Sequence, residues 1–284
     1  MPRVRFTEEE LRELYEQQRL SIRAIAKQKR VHPETIRDYL ILFGIARRSV
    51  AEAKIKYPRR SFSGDAIEKA YLLGFRAGDL NVQTANFSPT SQTIIVACGT
   101  TRPEQVALFR SLFEAYGHVA QYQSSGQLFA VCYLDRSFDF LLEQEDRVPD
   151  WIIAEPCCFA SFLAGYIDAE GCIQVKRQTR ASEVIIRSYD KGILQACWTR
   201  LQELDIICPP IYLVQTKGAR DADGPIYHGD YWGLGIYRQM SLLRLFTLIE
   251  PYMKHSKRRQ DMLTAWKNIR AHARNSEETK WQIS

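Results

Sequence analysis

Residues 161–173 read Ser-Phe-Leu-Ala-Gly-Tyr-Ile-Asp-Ala-Glu-Gly-Cys-Ile, and a variant of the same pattern, AYLLGFRAGDLNV, occupies residues 70–82, 91 positions earlier. A repeat of this kind means two copies of one structural unit. Small residues stand four apart in each copy, Gly74 and Gly78 in the first and Gly165 and Ala169 in the second, so each copy carries a small stripe on one helix face. Such stripes let two helix backbones approach closely, and the copies are expected to pack against each other about a pseudo-dyad. Asp79 and Glu170 directly follow the second small residue of their stripes. Both carboxylates are therefore expected at packed helix ends near the shared axis. The helix dipole disfavours each by up to about 1 kcal/mol, and a second like charge adds to that, so a cation is the natural counterpart.

Outward from each copy the patterning repeats. A period-two segment precedes an apolar strand, residues 93–97 in one half and 184–188 in the other, and each strand runs into an amphipathic helix, 104–113 and 193–201. Further β-like segments, 128–133 and 231–237, and a closing helix complete each half. The expected fold class is α+β, with two pseudo-symmetric αββαββα halves at 64–149 and 150–270. Their joint lies at Val148-Pro149-Asp150, and a polar tail occupies 271–284.

The two repeated segments resemble the paired motifs of the LAGLIDADG homing endonucleases. Leu163-Ala164-Gly165-Tyr166-Ile167-Asp168-Ala169-Glu170-Gly171 is the closer match. Leu72-Leu73-Gly74-Phe75-Arg76-Ala77-Gly78-Asp79-Leu80 departs from it at Arg76, where the pattern has an apolar residue, and at Leu80, where it has Gly. With its flanks the resemblance covers about residues 65–260. It implies antiparallel sheets forming a DNA-binding saddle, and hydrolysis of both strands of duplex DNA at a specific site, leaving short 3′ overhangs. It also implies Mg²⁺, or Mn²⁺, at a site made of Asp79, Glu170, Gly78 and Ala169. Mg²⁺ suits paired carboxylates because it is hard, prefers oxygen and keeps waters, one of which can become the nucleophile.

The family also places a basic residue near each acid. Candidates are Arg136 and Arg238 at the ends of the fourth strands and Lys257 in PYMKHSKRR, each more readily read as an ordinary phosphate contact or a surface charge. Asp168 is expected to be structural, since its counterpart in the first copy is Ala77. Base reading would fall to one face of the strands: Gln174, Lys176 and Gln178, with Val175 and Arg177 on the other face, and Asn81 and Gln83 in the first half. Asn and Gln pair bidentately with adenine and Lys with guanine. A polar solvent face on an antiparallel sheet is the plainer alternative.

Upstream of the repeat, Thr7-Glu8-Glu9-Glu10 is a capping box, with the Thr7 hydroxyl and the Glu10 side chain expected to bond reciprocally. Ser21 caps a second helix bearing Ile22, Ile25 and Ala26 on one face. Pro33 opens a third with Ile36, Leu40 and Phe43 inward, and Gly44 stops it. SIRAIAKQKRVHPETIRDYL resembles the helix-turn-helix of many transcription regulators, and residues 1–46 are expected to form such a module. In it His32, Thr35 and Arg37, beside Glu34 and Asp38, would face DNA. A three-helix bundle for protein contacts is the alternative. A basic linker follows at 47–63. Its Glu52-Ala53-Lys54 triplet lacks the surrounding strand that the similar nuclease motif requires.

Residues 1–60 hold 15 Lys/Arg against 8 Asp/Glu, a net +7 in a chain of net +6, which leaves residues 61–284 at −1. The attraction for phosphate is thus concentrated at the N-terminus. At 284 residues and 32.9 kDa the chain can bury two or three cores. Seven cysteines, at 98, 132, 157, 158, 172, 197 and 208, include no CxxC pair and are expected to be reduced. No run of 18 apolar residues occurs and Met1-Pro2-Arg3-Val4-Arg5 is not a secretion signal. The expectation is a cytoplasmic, nucleoid-associated protein that acts on double-stranded DNA without a membrane, as a monomer with internal two-fold pseudosymmetry. The other functions considered are a DNA-binding regulator that no longer cuts and an intron RNA maturase. The regulator is expected to lose an acid, and nothing in the sequence points to the maturase. A splicing intein is not expected, given Met1 at the start and Trp281-Gln282-Ile283-Ser284 at the end.

Overall fold

The computed structural model describes residues 6–48, 55, 57–88, 90–176, 178–179, 181–220, 224 and 226–281, with side chains as far as residue 271. The Glu52-Ala53-Lys54 triplet and Arg177 lie outside these. Two compact units divide at Pro58, residues 1–58 and 59–284.

In the first unit the Thr7 hydroxyl accepts from the backbone N–H of Glu10 at 3.2 Å and opens α1 (Glu8–Arg12), which continues as a π-helical turn through Gln17. The Glu10 carboxylate does not return that bond; it pairs with Lys29 at 2.5 Å, where a full positive charge outcompetes a backbone amide. Ser21 accepts from the N–H of Ala24 at 3.0 Å and starts α2 (Ile22–Lys29). Arg30 (φ 55) turns the chain into α3 (Pro33–Leu42), and Gly44 (φ 63) ends it. Leu11, Ile25, Ile36 and Leu40 are fully buried at the centre. Arg48 lies over the Tyr15 ring at 4.3 Å and donates its backbone N–H to the Tyr15 hydroxyl, so this end of the expected linker is part of the first unit.

The other end belongs to the second unit: Arg59 donates to Thr93 Oγ1 at 2.8 Å, and Phe62 packs against Tyr116, Phe138 and Phe140. The order then runs α4 (Ala66–Asp79), β1 (Asn81–Thr84), β2 (Ile94–Thr100), α5 (Pro103–Phe113), β3 (Val119–Ser124), β4 (Gln127–Leu134), a 3₁₀ segment (Arg136–Leu141) and α6 (Asp150–Ala154). The second half has α7 (Pro156–Glu170), β5 (Gly171–Val175), β6 (Ser182–Ser188), α8 (Lys191–Glu203), β7 (Tyr212–Gln215), β8 (Tyr231–Ile236), α9 (Gln239–Ile249) and α10 (Ser256–Trp281). The sheets have the matching orders β1-β2-β4-β3 and β5-β6-β8-β7, all antiparallel. Two expectations are corrected. The first half closes with a 3₁₀ segment instead of an α-helix, its six residues being held at the Asp135 cap. Residues 271–281, read as a tail, continue α10, because helical propensity carries it past Ile269, the last buried apolar residue among those described.

α4 and α7 lie side by side and their glycines decide how closely. A Cβ placed on Gly74 would collide with the carbonyl oxygen of Phe162, and one placed on Gly165 with that of Tyr71. Every residue of α7 from Cys158 to Ala169 is buried, so this helix is enclosed on all sides by α4, the sheets and the later helices. Five cysteines are buried and Cys157 and Cys172 exposed, all as free thiols. No described helix is long and apolar enough to cross a membrane.

Backbone atoms cannot move aside as a side chain can. Gly74→Ala and Gly165→Ala are therefore expected to destabilise the chain by about 1–3 kcal/mol or more, read as a lowered urea midpoint. Ala at Gly126, where nothing lies within contact, is expected to show only the smaller cost of its φ of 78°.

Candidate functional site

α4 and α7 end at Asp79 and Glu170 because the next residues, Leu80 (ψ 133) and Gly171 (ψ 150), are extended and lead straight into β1 and β5. Helix end and sheet edge are thereby fixed together at each acid. A Cβ on Gly78 would lie 2.5 Å from Ala169 Cβ and 2.7 Å from Glu170 Cγ, so Glu170 rests against the backbone of the helix that ends in Asp79. Burial pushes the Asp79 carboxyl up to about 6. Glu170 rises to about 7, through burial first and the charge of Asp79 second. Two acids that disfavour each other's ionisation share this site. Among the described residues no three His, Cys, Asp or Glu side chains converge as a metal cage. A cation bound here would have the two carboxylates as its acidic ligands and would complete its shell elsewhere.

Each helix end also carries a guanidinium, supplied from non-equivalent places. In the first half Arg76, itself buried, donates to the carbonyls of Leu80 at 2.5 Å and Leu141 at 3.0 Å. In the second, Arg258 reaches back from α10 to the carbonyls of Asp168 at 2.9 Å, Ala169 at 2.8 Å and Gly171. Leu80 and Gly171 are matching positions of the repeat, so one carbonyl is capped in both halves. This explains why Arg76 stands where the pattern has an apolar residue. Asp168 anchors the other side of the exchange. Its fully buried carboxylate accepts from the backbone N–H groups of Lys254 (2.8 Å) and His255 (2.9 Å) and from the Tyr71 hydroxyl (2.6 Å).

Arg102, Gln105 and Arg258 are the residues near the acids that sequence reading missed. Buried Gln105 donates from Nε2 to Asp79 Oδ2. Arg102, exposed at the cap of α5, acts electrostatically on Asp79. Both lie outside the repeated motif, and their only sequence signal was the start of the helix after the second strand. Arg258 is the direct neighbour of Lys257, which the sequence did point to. Lys257 pairs with Asp261 at 2.6 Å and, with Arg102, Glu170, Gln174 and Arg258, lines a cleft of about 560 Å³.

The structure puts Arg136 and Arg238 elsewhere. Arg136 donates to the Ser91 carbonyl at 3.5 Å and pairs with Asp139 at 3.9 Å; Arg238 is exposed at the cap of α9. Among the described residues no hydrogen bond or ion pair joins either to Asp79 or Glu170. The carbonyl of Ala169, expected in the metal site, already accepts from Arg258.

Of the expected base readers, Asn81 is exposed and Gln83 half-buried on the same face of β1. Gln174 and Lys176 both spend their polar groups on Glu183, at 2.6 and 2.7 Å, a carboxylate only 4% exposed. β5 ends at Val175, so Lys176 lies just beyond it and Gln178 in the following turn, where strand alternation no longer assigns a face. β1 to β4 contain no charged residue, and the second sheet's strands contain only Glu183 and Arg187. In the first unit His32 caps α3 with Nδ1 accepting from Glu34 N–H at 3.4 Å, Thr35 is half-buried, and Arg37 is paired with Glu34.

A carboxyl whose folded pKa stands above its unfolded value binds its proton more tightly in the folded chain. Metal-free stability is therefore fully present below the usual carboxylate range and falls as pH rises through about 6 to 7. Asp79→Asn and Glu170→Gln are each expected to raise metal-free stability at about pH 8 by roughly 1–3 kcal/mol and to leave it nearly unchanged at about pH 4. Thermal unfolding in chelator at both pH values checks this, and equal effects at the two would refute it.

Residues 158–249 match the profile of the LAGLIDADG-like domain. No curated protein matches the chain at the level of sequence. Solved structures similar to it include mesophilic variants of the homing endonuclease I-DmoI, at 14% identity and a TM-score of 0.46 over 65% of this chain and 89% of that one. I-DmoI in complex with DNA and Ca is similar at 13% identity and 0.46, over 65% and 90%. The homing endonuclease I-WcaI bound to its DNA recognition sequence is similar at 12% identity and 0.46, over 75% and 93%. From Cys158 at the start of the buried helix to Ile249 at the end of α9, this chain carries a LAGLIDADG-like domain.

Proposed function

We propose that the chain is a site-specific, divalent-metal-dependent DNA endonuclease, with Asp79 and Glu170 holding Mg²⁺ or Mn²⁺. The observation that carries this is the pair of half-buried carboxylates at the ends of two glycine-packed helices, each with a raised pKa. Two half-buried negative charges side by side favour a counter-charge, and their hard oxygens with space for water suit Mg²⁺. The chemistry that Mg²⁺ supplies when bound is neutralisation of phosphate charge and activation of a water.

The chain's own groups do the rest. The two helices hold the acids in register with the sheets that would meet the duplex. Gln105 keeps one Asp79 oxygen engaged and leaves the other for a cation. Arg258 and Arg102 set positive charge beside the acids, where charge develops on the scissile phosphate. The N-terminal unit, with 13 Lys/Arg against 8 Asp/Glu over residues 1–58, a net +5, supplies phosphate attraction that the nearly neutral strands lack, with α3 as its DNA-facing helix. A DNA-binding regulator that no longer cuts is the second reading. It is favoured by Arg258, whose guanidinium occupies the Ala169 carbonyl beside the acids.

Incubation with a plasmid carrying the DNA that flanks its own gene is expected to give Mg²⁺-dependent linearisation, abolished by EDTA. Asp79→Asn and Glu170→Gln are expected to slow it by about a hundredfold or more, the scale of losing several kcal/mol of charge stabilisation. Binding without any break in the presence of Mg²⁺ would make the regulator the correct reading. Deleting residues 1–58 is expected to weaken binding and to reduce its salt dependence by roughly one unit of slope for each phosphate that this unit neutralises. Unchanged binding would remove DNA from that unit's role.

A further inference from the structure

The two acids do not have equivalent neighbours. β2 and β6 are both seven residues long, and two residues separate each from the next helix, α5 starting at Pro103 and α8 at Lys191. Arg102 therefore corresponds to Asp190, and Gln105 to Ile193. Beside Asp79 stand a cation and a buried amide that donates to its carboxylate. In the corresponding places of the other half stand an anion and a buried apolar side chain. Asp190 spends its carboxylate on Ser188 at 3.1 Å and acts on Glu170 as a like charge.

A donor that fixes one carboxylate oxygen holds the side chain in a single orientation before any cation arrives, so that binding costs less ordering. A flanking cation also offsets the repulsion between the two acids, and a flanking anion adds to it. Both differences favour Asp79. We propose that Gln105 is a positioning residue for Asp79 and makes the two acids unequal, so that the DNA strand served by Asp79 is cut before the strand served by Glu170. The strand order rests on the nuclease reading above; the action of Gln105 through Asp79 does not.

Two measurements on the full chain test it. In calorimetric titration with Mn²⁺, Gln105→Leu is expected to weaken binding about tenfold, the scale of one hydrogen bond to a charged group, and to cause no further weakening in the Asp79→Asn background. Gln105→Met serves in its place if the Leu variant lowers the thermal midpoint. An unchanged isotherm, or a weakening that persists in the Asp79→Asn background, overturns the positioning role, because mere packing would act in both backgrounds.

In digestion of a duplex labelled separately on each strand, the wild type is expected to pass through a nicked intermediate. The broken strand should be the one that Asp79→Asn leaves intact. Gln105→Leu is expected to slow that strand about tenfold while the other is cut at the wild-type rate. Equal slowing of both strands, or a first nick in the strand that depends on Glu170, overturns the order. If the wild type cuts no DNA, the nuclease reading fails and the strand order with it, and the Mn²⁺ cycle alone decides for or against Gln105.

Discussion

The approach of two helix backbones at Gly74 and Gly165 is the constraint on which the second unit depends. Each glycine faces a backbone carbonyl of the opposite helix, Phe162 and Tyr71, at a separation that leaves no space for a methyl group. This pins α4 and α7 in depth and in register, because sliding either helix by a residue would bring a side chain to the contact. The sheets follow, since β1 and β5 begin within two residues of the helix ends. Asp79 and Glu170 meet for the same reason.

Bringing two acids together at two helix C-termini creates an electrostatic problem, and much of the surrounding architecture answers it. Arg76 and Arg258 cap matching carbonyls from different parts of the chain, one from within its own helix and one from α10. Their positive charges offset the dipole ends that the acids would otherwise worsen. Asp168 and Arg258 form a reciprocal clasp between α7 and α10, the carboxylate taking the N–H groups at the start of α10 and the guanidinium taking the carbonyls at the end of α7. The C-terminal helix is thus part of the architecture of the site. Burial raises both carboxyl pKa values, and at Glu170 the charge of Asp79 adds to it.

Charge is divided between the two units in a way that bears on how nucleic acid would be met. The strands of the second unit are almost free of charge, and two of the polar side chains expected to read bases are bound to Glu183. Recognition on that face would rest on amides such as Asn81, on tyrosine hydroxyls and on shape. The excess of positive charge lies in residues 1–60. On the proposed nuclease reading, the first unit would supply non-specific attraction and the second would position the acids.

The sequence by itself determined the repeat, the paired helices, the antiparallel halves and the two acids, because glycine spacing and alternating apolar positions are local signals that survive without coordinates. The capping of the first two N-terminal helices by Thr7 and Ser21 was equally legible, since a cap acts within three residues, whereas His32, read as facing DNA, caps the third. Only the tertiary structure decided which cations and hydrogen-bond donors stand beside the acids. Arg258 is 88 residues beyond Glu170 and Gln105 is 26 beyond Asp79, and no periodicity links side chains that meet through folding alone. It also decided that Gln174 and Lys176 turn to Glu183 and that Arg76 caps a helix end. Those outcomes depend on competition among partners in space, which spacing along the chain does not encode.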